Sequence, residues 1–156
     1  MRLASGTLLA TLALDQASKW AVVHALDLKS RLVIEVAPPL LTFRMAWNTG
    51  VNFGLFASDG EITRWGLVAL ALVISVVIWI WAWRERHNRA MQIGAGLLVG
   101  GALGNVTDRV IYGAVADFIN MSCCGIDNPF AFNVADAAIF AGALLLIVFS
   151  GREKTP

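Results

Sequence analysis

Four long apolar stretches constrain this chain more than any other feature of its sequence. They cover residues 3–24, 65–83, 91–110 and 133–149. An α-helix needs roughly 20 mostly apolar residues to cross the hydrocarbon core of a bilayer. The chain has 156 residues, of which 58% are hydrophobic and 15% charged, and this balance is typical of a membrane protein. We therefore predict an all-α membrane protein with four transmembrane helices in a single domain, residues 1–156.

The first apolar stretch begins like a secretory signal peptide, because Arg2 precedes the apolar run 8–14. Asp15 and Lys19 then stand where a cleavage site of small residues would lie, and the apolar pattern resumes after them. This order favours a membrane helix over a cleaved leader.

Basic residues near the helix ends predict the orientation. The connection "WRERHNRA" carries three arginines, and the terminal segments carry Arg2, Arg152 and Lys154. Cytoplasmic connections of membrane proteins are enriched in Lys and Arg. Both termini are therefore predicted to be cytoplasmic, and the connections 25–64 and 111–132 to be outside. The net charge of +1, without a basic stripe, argues against nucleic acid as a partner.

The first outer connection predicts a small β-like flap between the first two helices. Its segment "RLVIEVAPPLLTFRMAWN" is rich in β-branched and apolar residues with partial alternation, and Pro38 and Pro39 interrupt it. No helical stripe runs through it. Short strands or a hairpin are the expected structure.

Polar residues inside the first and third helices need partners, because burying them in a membrane is costly. Asp15 and Lys19 are spaced for an ion pair within one helix, with Lys19 extending outward, which is a structural role. Gly96, Gly100 and Gly104 recur every four residues and allow another helix to approach closely. After these glycines, an amide, an acid and a guanidinium follow within one helical turn, and they can organise a polar site: Asn105, Asp108 and Arg109.

The start of the fourth helix carries Asn133 and Asp136 on one face. A helix N-terminus favours an amide cap and a negative charge, so these residues are explained equally well by a helix cap or by a functional site. When the chain folds back between helices three and four, Asp117 and Asp136 reach the same outer level. Two carboxylates in a low-dielectric site do not both ionise cheaply, so one can act as an acid and the other as a base.

The residue patterns that other catalytic mechanisms require are absent from this sequence. No serine or cysteine has a histidine or lysine at triad spacing, and neither H-E-x-x-H nor a phosphate-binding loop is present. Cys123 and Cys124 are adjacent and distant from both histidines, so they predict neither a zinc site nor an unstrained disulfide. No metal or other cofactor is expected. A proton-coupled transporter and a non-catalytic membrane assembly protein stay as alternatives to an enzyme.

Four blocks of this sequence, in order, resemble the motifs of bacterial lipoprotein signal peptidase (signal peptidase II): "DQASKW", "NTGVNFG", "GGALGNVTDRVIYGAVADF" and "FNVADA". That family consists of intramembrane aspartyl proteases with four helices. The resemblance implies cleavage of diacylglyceryl-modified prolipoproteins before the lipidated cysteine, at the outer face of the bacterial cytoplasmic (inner) membrane. It also implies contact with membrane lipid and inhibition by globomycin-type compounds.

The resemblance implies that Asp117 and Asp136 are the catalytic pair. It implies a structural role for Asp15, with Lys19, and it leaves open which aspartate carries the proton. A further set is implied to line or support the site, with Asp108 supporting Arg109: Asn48, Gly104, Asn105, Asp108, Arg109 and Asn133. The chain departs from the family at Val51 and Asn52, where small residues are usual, and at the connection "NMSCCGIDNP".

Overall fold

The architecture combines helices with a small antiparallel sheet. A computed structural model describes residues 1–50, 60–125 and 128–150. In chain order the elements are α1 (Arg2–Lys19), which continues as a π-helical segment (Trp20–Ala25), α2 (Leu28–Arg31), β1 (Val33–Ala37), β2 (Leu41–Asn48), α3 (Gly60–Arg84), α4 (Arg89–Tyr112), β3 (Val115–Met121) and α5 (Val134–Phe149).

Each predicted apolar stretch coincides with one of the long helices. In α3 and α4, the length and apolar composition are sufficient to cross a membrane. The last helix, α5, is apolar but has 16 residues, and α1 carries Asp15 and Lys19. Large apolar side chains stay exposed on α3 and α5, among them Val73 and Ile147. Such surfaces are suited to lipid, and the full count of four membrane spans stays a prediction.

Helix α4 is the centre of the helical part and packs against α1, α3 and α5. Gly96, Gly100 and Gly104 face α1, so the close approach of another helix that the sequence predicts is present, whereas Gly94 and Gly101 face α5. A methyl group at Gly100 would lie 2.7 Å from the backbone oxygen of Leu8, and one at Gly96 would lie 2.6 Å from Cβ of Thr7. A second contact is made with α5, where Gly142 meets the backbone of α4. Small residues thus bring three helix backbones close together.

The sheet has one strand more than the predicted β-like flap of this mostly helical protein. Its strand order is β1-β2-β3, antiparallel throughout, so the predicted hairpin between α1 and α3 is confirmed as β1 and β2. The third strand comes from the connection between α4 and α5, for which the sequence predicted no strand. Gly113 ends α4 with a φ of +81°, a conformation that glycine adopts readily, and β3 starts two residues later.

A small core attaches the sheet to the helical part. Phe118 of β3 is buried and meets Phe43 of β2 edge to face, with ring centroids 5.7 Å apart. Beneath them lie Val22 of the π-helical segment and Leu28 of α2. Most residues of β3 are buried on both faces, and the strand is apolar except for Asp117 and Asn120.

Candidate active site

Asp117 lies in the middle of β3 and faces the helical part of the protein. Its partner across the ladder is Ala46 of β2. Two residues further along β2, on the same face of the sheet, Asn48 donates a hydrogen bond from Nδ2 to Asp117 Oδ2 at 3.0 Å. Asp117 is 2% exposed. The adjacent Gly50 N–H donates to Asn48 Oδ1 at 3.2 Å, and this turn orients the amide toward Asp117.

Asp136 lies in the first turn of α5. The preceding Asn133 is the N-cap, and its Oδ1 accepts a hydrogen bond from Asp136 N at 2.9 Å. In return, Asp136 Oδ2 accepts from Asn133 N at 3.2 Å. This reciprocal arrangement is a capping box, which satisfies backbone donors that a helix start leaves free. The predicted cap is confirmed, and it holds the carboxylate in one place.

Asn133 also joins the two aspartates. Its Nδ2 donates to Asp117 Oδ1 at 2.6 Å, while its backbone contacts Asp136. The residue is completely buried. One residue therefore connects β3 to the start of α5 and contacts both aspartates.

A second amide approaches the pair from α4. Asn105 Nδ2 donates to Asp136 Oδ1 at 2.9 Å. One turn later, Arg109 Nη1 donates to the backbone oxygen of Asn105 at 3.4 Å, and the guanidinium lies within electrostatic range of both aspartates. Its Nε is buried and has no hydrogen-bond partner among the described residues. Asn48, Asn105 and Arg109 form the polar end of a cavity of about 320 Å³.

The rest of that cavity is apolar. Its wall comes from α3, α4 and α5, with side chains that include Leu67, Leu70, Ile74 and Ile139. A ligand that fits this cavity must carry a polar group at one end and a hydrocarbon part at the other. The predicted departure from the family at positions 51 and 52 lies outside the described residues.

Burial sets the protonation of Asp117. It raises the pKa of Asp117 from its ordinary value of 3.8 to about 6, and the nearby charge of Asp136 adds to this effect. Hydrogen bonds from Asn48 and Asn133 and the charge of Lys19 act in the opposite direction. The neutral form of Asp117 is therefore favoured well above the pH at which an exposed aspartate ionises.

The predicted ion pair in α1 is present, but Lys19 does not extend outward. Its Nζ lies 2.8 Å from Asp15 Oδ2 and 2.8 Å from Asp108 Oδ2. Lys19 is 5% exposed and Asp15 is fully buried. The second carboxylate explains the difference, because Lys19 finds its counter-charges inside the protein.

Asp108 was expected to support Arg109. Its charge does act on that guanidinium, but its hydrogen bonds and ion pair go to other groups. Besides Lys19, its carboxylate accepts hydrogen bonds from Gln16 Nε2 at 3.0 Å and from Ala116 N at 3.1 Å. Consecutive residues of a helix point in different directions, so Asp108 and Arg109 serve different neighbours. Asp108 ties α1, α4 and the start of β3 together.

Asp15 supports the site through the start of α5. Its Oδ1 accepts a hydrogen bond at 2.9 Å from Ala135 N, the residue before Asp136. Gly104 gives the carboxylate its space, since a Cβ there would lie 2.5 Å from Asp15 Oδ2. Gln16 was missed by the sequence reasoning, although it stands between Asp15 and Lys19 as a further polar residue in an apolar helix. Its amide donates to both Asp15 and Asp108.

Comparison with known proteins gives the family. The model for Signal peptidase (SPase) II matches residues 7–151. The chain is 46% identical over 145 residues to the lipoprotein signal peptidase of Methylorubrum extorquens, covering 93% of this chain and 83% of that one. For the Neisseria meningitidis serogroup C (strain 053442) lipoprotein signal peptidase the identity is 34% over 140 residues, with 90% and 84% covered. This chain belongs to the signal peptidase II family.

Solved structures agree with the fold. A bacterial membrane enzyme solved by the in meso method at 1.9 Å resolution superposes with a TM-score of 0.80 at 26% identity, covering 99% of this chain and 96% of that one. A second, solved at 2.3 Å resolution, has a TM-score of 0.79 at 24% identity, covering 100% and 94%. The signal peptidase II resemblance read from the motifs is confirmed, and with it the assignment as a protease.

Two further features of this signal peptidase II chain bear on its chemistry. In the parts of the chain that are described, no three His, Cys, Asp or Glu side chains gather to hold a metal ion. Cys123 and Cys124 are exposed free thiols after β3, and Cys124 Sγ donates to Cys123 Sγ at 2.8 Å. They lie on the surface, where a labelling reagent can reach them.

Proposed function

We propose that Asp117 and Asp136 are the catalytic pair of a signal peptidase II that removes the signal peptide from diacylglyceryl-modified prolipoproteins, cutting before the lipidated cysteine. The observation that carries this proposal is the contact of Asn133 with both carboxyl groups. It brings a strand aspartate and a helix aspartate to one point, as acid–base hydrolysis of a peptide bond requires.

The different surroundings of the two aspartates assign their roles. Asp117 is almost fully buried and its pKa is raised, so it is the aspartate that we assign as the acid, which donates a proton to the carbonyl oxygen of the scissile bond. Asp136 is partly exposed and accepts hydrogen bonds on both oxygens, so it takes a proton from the attacking water. The tetrahedral intermediate then collapses as the leaving amine is protonated.

The cavity beside the pair is suited to a lipid-modified substrate. Its polar end holds Asn48, Asn105 and Arg109, and its apolar wall continues along α3 and α5. The acyl chains of the substrate stay in the bilayer while the scissile bond enters from the side. A globomycin-type inhibitor would occupy the same cavity, because it combines a polar peptide portion with a hydrocarbon chain.

We place the chain in the bacterial inner membrane with four spans, both termini cytoplasmic and the aspartates near the periplasmic face. The arginines between α3 and α4 support this orientation. The sheet and both aspartates lie at the opposite ends of these helices. An exported precursor reaches the site only from that side.

The test uses purified protein, a diacylglyceryl-modified prolipoprotein and separation of cleaved from uncleaved product. Asp117→Asn and Asp136→Asn each keep the shape of the side chain and remove its acid–base function, so each is expected to lower kcat by at least about a hundredfold. Asp27→Asn, an exposed aspartate of the outer connection, is the matched control and is expected to cleave normally. A fully active Asp117→Asn protein that folds normally would exclude this aspartate from the reaction.

A further inference from the structure

The ammonium group of Lys19 makes three polar contacts inside the protein. Two contacts, each of 2.8 Å, go to Asp15 Oδ2 and Asp108 Oδ2, and the third, of 3.3 Å, goes to Asn105 Oδ1. A lysine ammonium has three hydrogens and accepts nothing. The two carboxylates therefore fix its position, and the remaining donor points at the amide that contacts Asp136.

The orientation of the Asn105 amide depends on that donor. Its Oδ1 accepts from Lys19 Nζ and from Asn133 Nδ2, each at 3.3 Å, while its Nδ2 donates to Asp136 Oδ1 at 2.9 Å. If the amide turned over, its NH₂ group would face two donors and its oxygen would face a carboxylate. The positive charge of Lys19 makes this reversed orientation unfavourable.

Lys19 itself lies away from the cavity proposed for the substrate. Asn105 lines the 320 Å³ cavity that continues along α3. Lys19 lines a different cavity, of about 250 Å³, together with Gln16, Asp108 and the exposed Trp20. Lys19 therefore does not contact a substrate in that cavity, and its links to the two aspartates are its hydrogen bond to Asn105 and its charge near Asp117.

We infer that Lys19 is a positioning residue for the hydrolysis: it orients Asn105 so that the amide N–H stays on the carboxylate of Asp136 and holds it aligned toward the attacking water. This inference rests on the proposed roles of the two aspartates and adds a function for an ion pair that was expected to be structural. Because Lys19 does not touch the substrate cavity, its loss lowers kcat and leaves KM nearly unchanged.

The test requires a variant that keeps the charge balance. Lys19→Met alone would leave Asp15 and Asp108 as buried carboxylates without their cation, and such a protein can fail to fold. The double variant Lys19→Met/Asp108→Asn removes one charge of each sign, and the new amide oxygen can still accept from Ala116 N. We expect kcat to fall roughly tenfold to a hundredfold, the range for losing a hydrogen bond to a charged group.

Controls separate positioning from folding. Asp108→Asn alone keeps the contacts of Lys19 with Asp15 and Asn105, so it measures the cost of the Asp108 change by itself, and the effect of Lys19 is the ratio of the double variant's kcat to that of Asp108→Asn. Lys29→Met removes an exposed lysine of α2 and is expected to change nothing. If the double variant does not accumulate, Lys19→Gln/Asp108→Asn replaces it. The glutamine side chain is one bond shorter than that of lysine, so it no longer makes the hydrogen bond to Asn105 Oδ1. The same fall in kcat is expected.

A double-mutant cycle decides the route of the effect. Asn105→Ala removes the donor to Asp136, so adding the Lys19 change to it is expected to cost less than about threefold more in kcat. The inference would be overturned if the fold losses in kcat from the Lys19 change and from Asn105→Ala multiplied when the two are combined. It would also be overturned if a folded Lys19 variant had wild-type kcat. Asp117→Asn and Asp136→Asn are measured in the same assay. Their activity would refute the proposed function, whereas inactive aspartate variants with independent losses at Lys19 and Asn105 would refute the positioning role alone.

Discussion

Replacing Gly104 with alanine tests how tightly the polar site is packed between α1 and α4. The new Cβ would lie 2.5 Å from Asp15 Oδ2 and 3.1 Å from Asp15 Cγ. The carboxylate has little freedom to move away, because Asp15 Oδ1 accepts from Ala135 N at 2.9 Å and Asp15 Oδ2 contacts Lys19 at 2.8 Å. The substitution must separate the helices or break one of these contacts.

The magnitude follows from two opposing effects. Alanine in a helix interior is more favourable than glycine by about 0.5–1 kcal/mol. Overpacking a well-packed interior costs about 1–3 kcal/mol, and disturbing a buried ion pair adds to that cost. We expect Gly104→Ala to lower the free energy of unfolding by about 1–3 kcal/mol, which lowers Tm by roughly 3–10 °C in a chain of this size.

Gly66→Ala in α3 is the matched control, since among the described residues no atom beyond its chain neighbours and its own helix backbone lies within 4 Å of the position of its added Cβ. It is expected to leave Tm unchanged or to raise it by a few degrees. Both proteins are purified in the same detergent and unfolded by heating, with intrinsic tryptophan fluorescence as the signal. Equal or higher Tm for Gly104→Ala would refute the close packing of Asp15 against α4.

The remaining predictions concern protonation, stability, metal dependence and topology. Because the folded pKa of Asp117 lies above its unfolded value, acidification from pH 7 to 5 is expected to stabilise the wild-type protein by about 1 kcal/mol. Asp117→Asn should lack this gain in Tm relative to wild type. Asp15→Asn weakens the support of Lys19 and α5, so a lower Tm with residual cleavage is expected, and unchanged Tm would contradict that support. Cleavage should persist in EDTA, and recovery of a lost activity by added zinc would contradict an aspartate-only reaction. A membrane-impermeant maleimide should label Cys123 and Cys124 from outside in spheroplasts, since the chain has no other cysteine. Labelling only after the membrane is opened would count against the proposed orientation.

Periodic and local features of this fold could be predicted from the sequence. The apolar stretches predicted the helices, the glycine spacing predicted a close contact of α4 with another helix, and the interrupted β-branched segment predicted the hairpin. The N-cap role of Asn133 also followed from its place before an apolar run. Each of these features depends on residues that are close in sequence.

Long-range contacts could not be predicted in the same way. The third strand is a seven-residue segment buried on both faces, so it lacks the alternation that marks a half-buried strand. The partner of Asp108 is Lys19, which is distant in sequence, and only the packing of α1 on α4 brings the two together. The sequence analysis assigned Asp108 to Arg109 because the two residues are adjacent in the chain. The role of Gln16 depends on the same packing.

The two aspartates differ in what holds them, and this difference explains how identical side chains can have different roles. Asp117 belongs to a strand, receives its contacts from amides on β2 and at the start of α5, and is almost fully buried. Asp136 belongs to a helix start, where backbone N–H groups favour a negative charge. The third strand, absent from the sequence prediction, is therefore the element that buries one carboxyl group beside the start of the helix that carries the other.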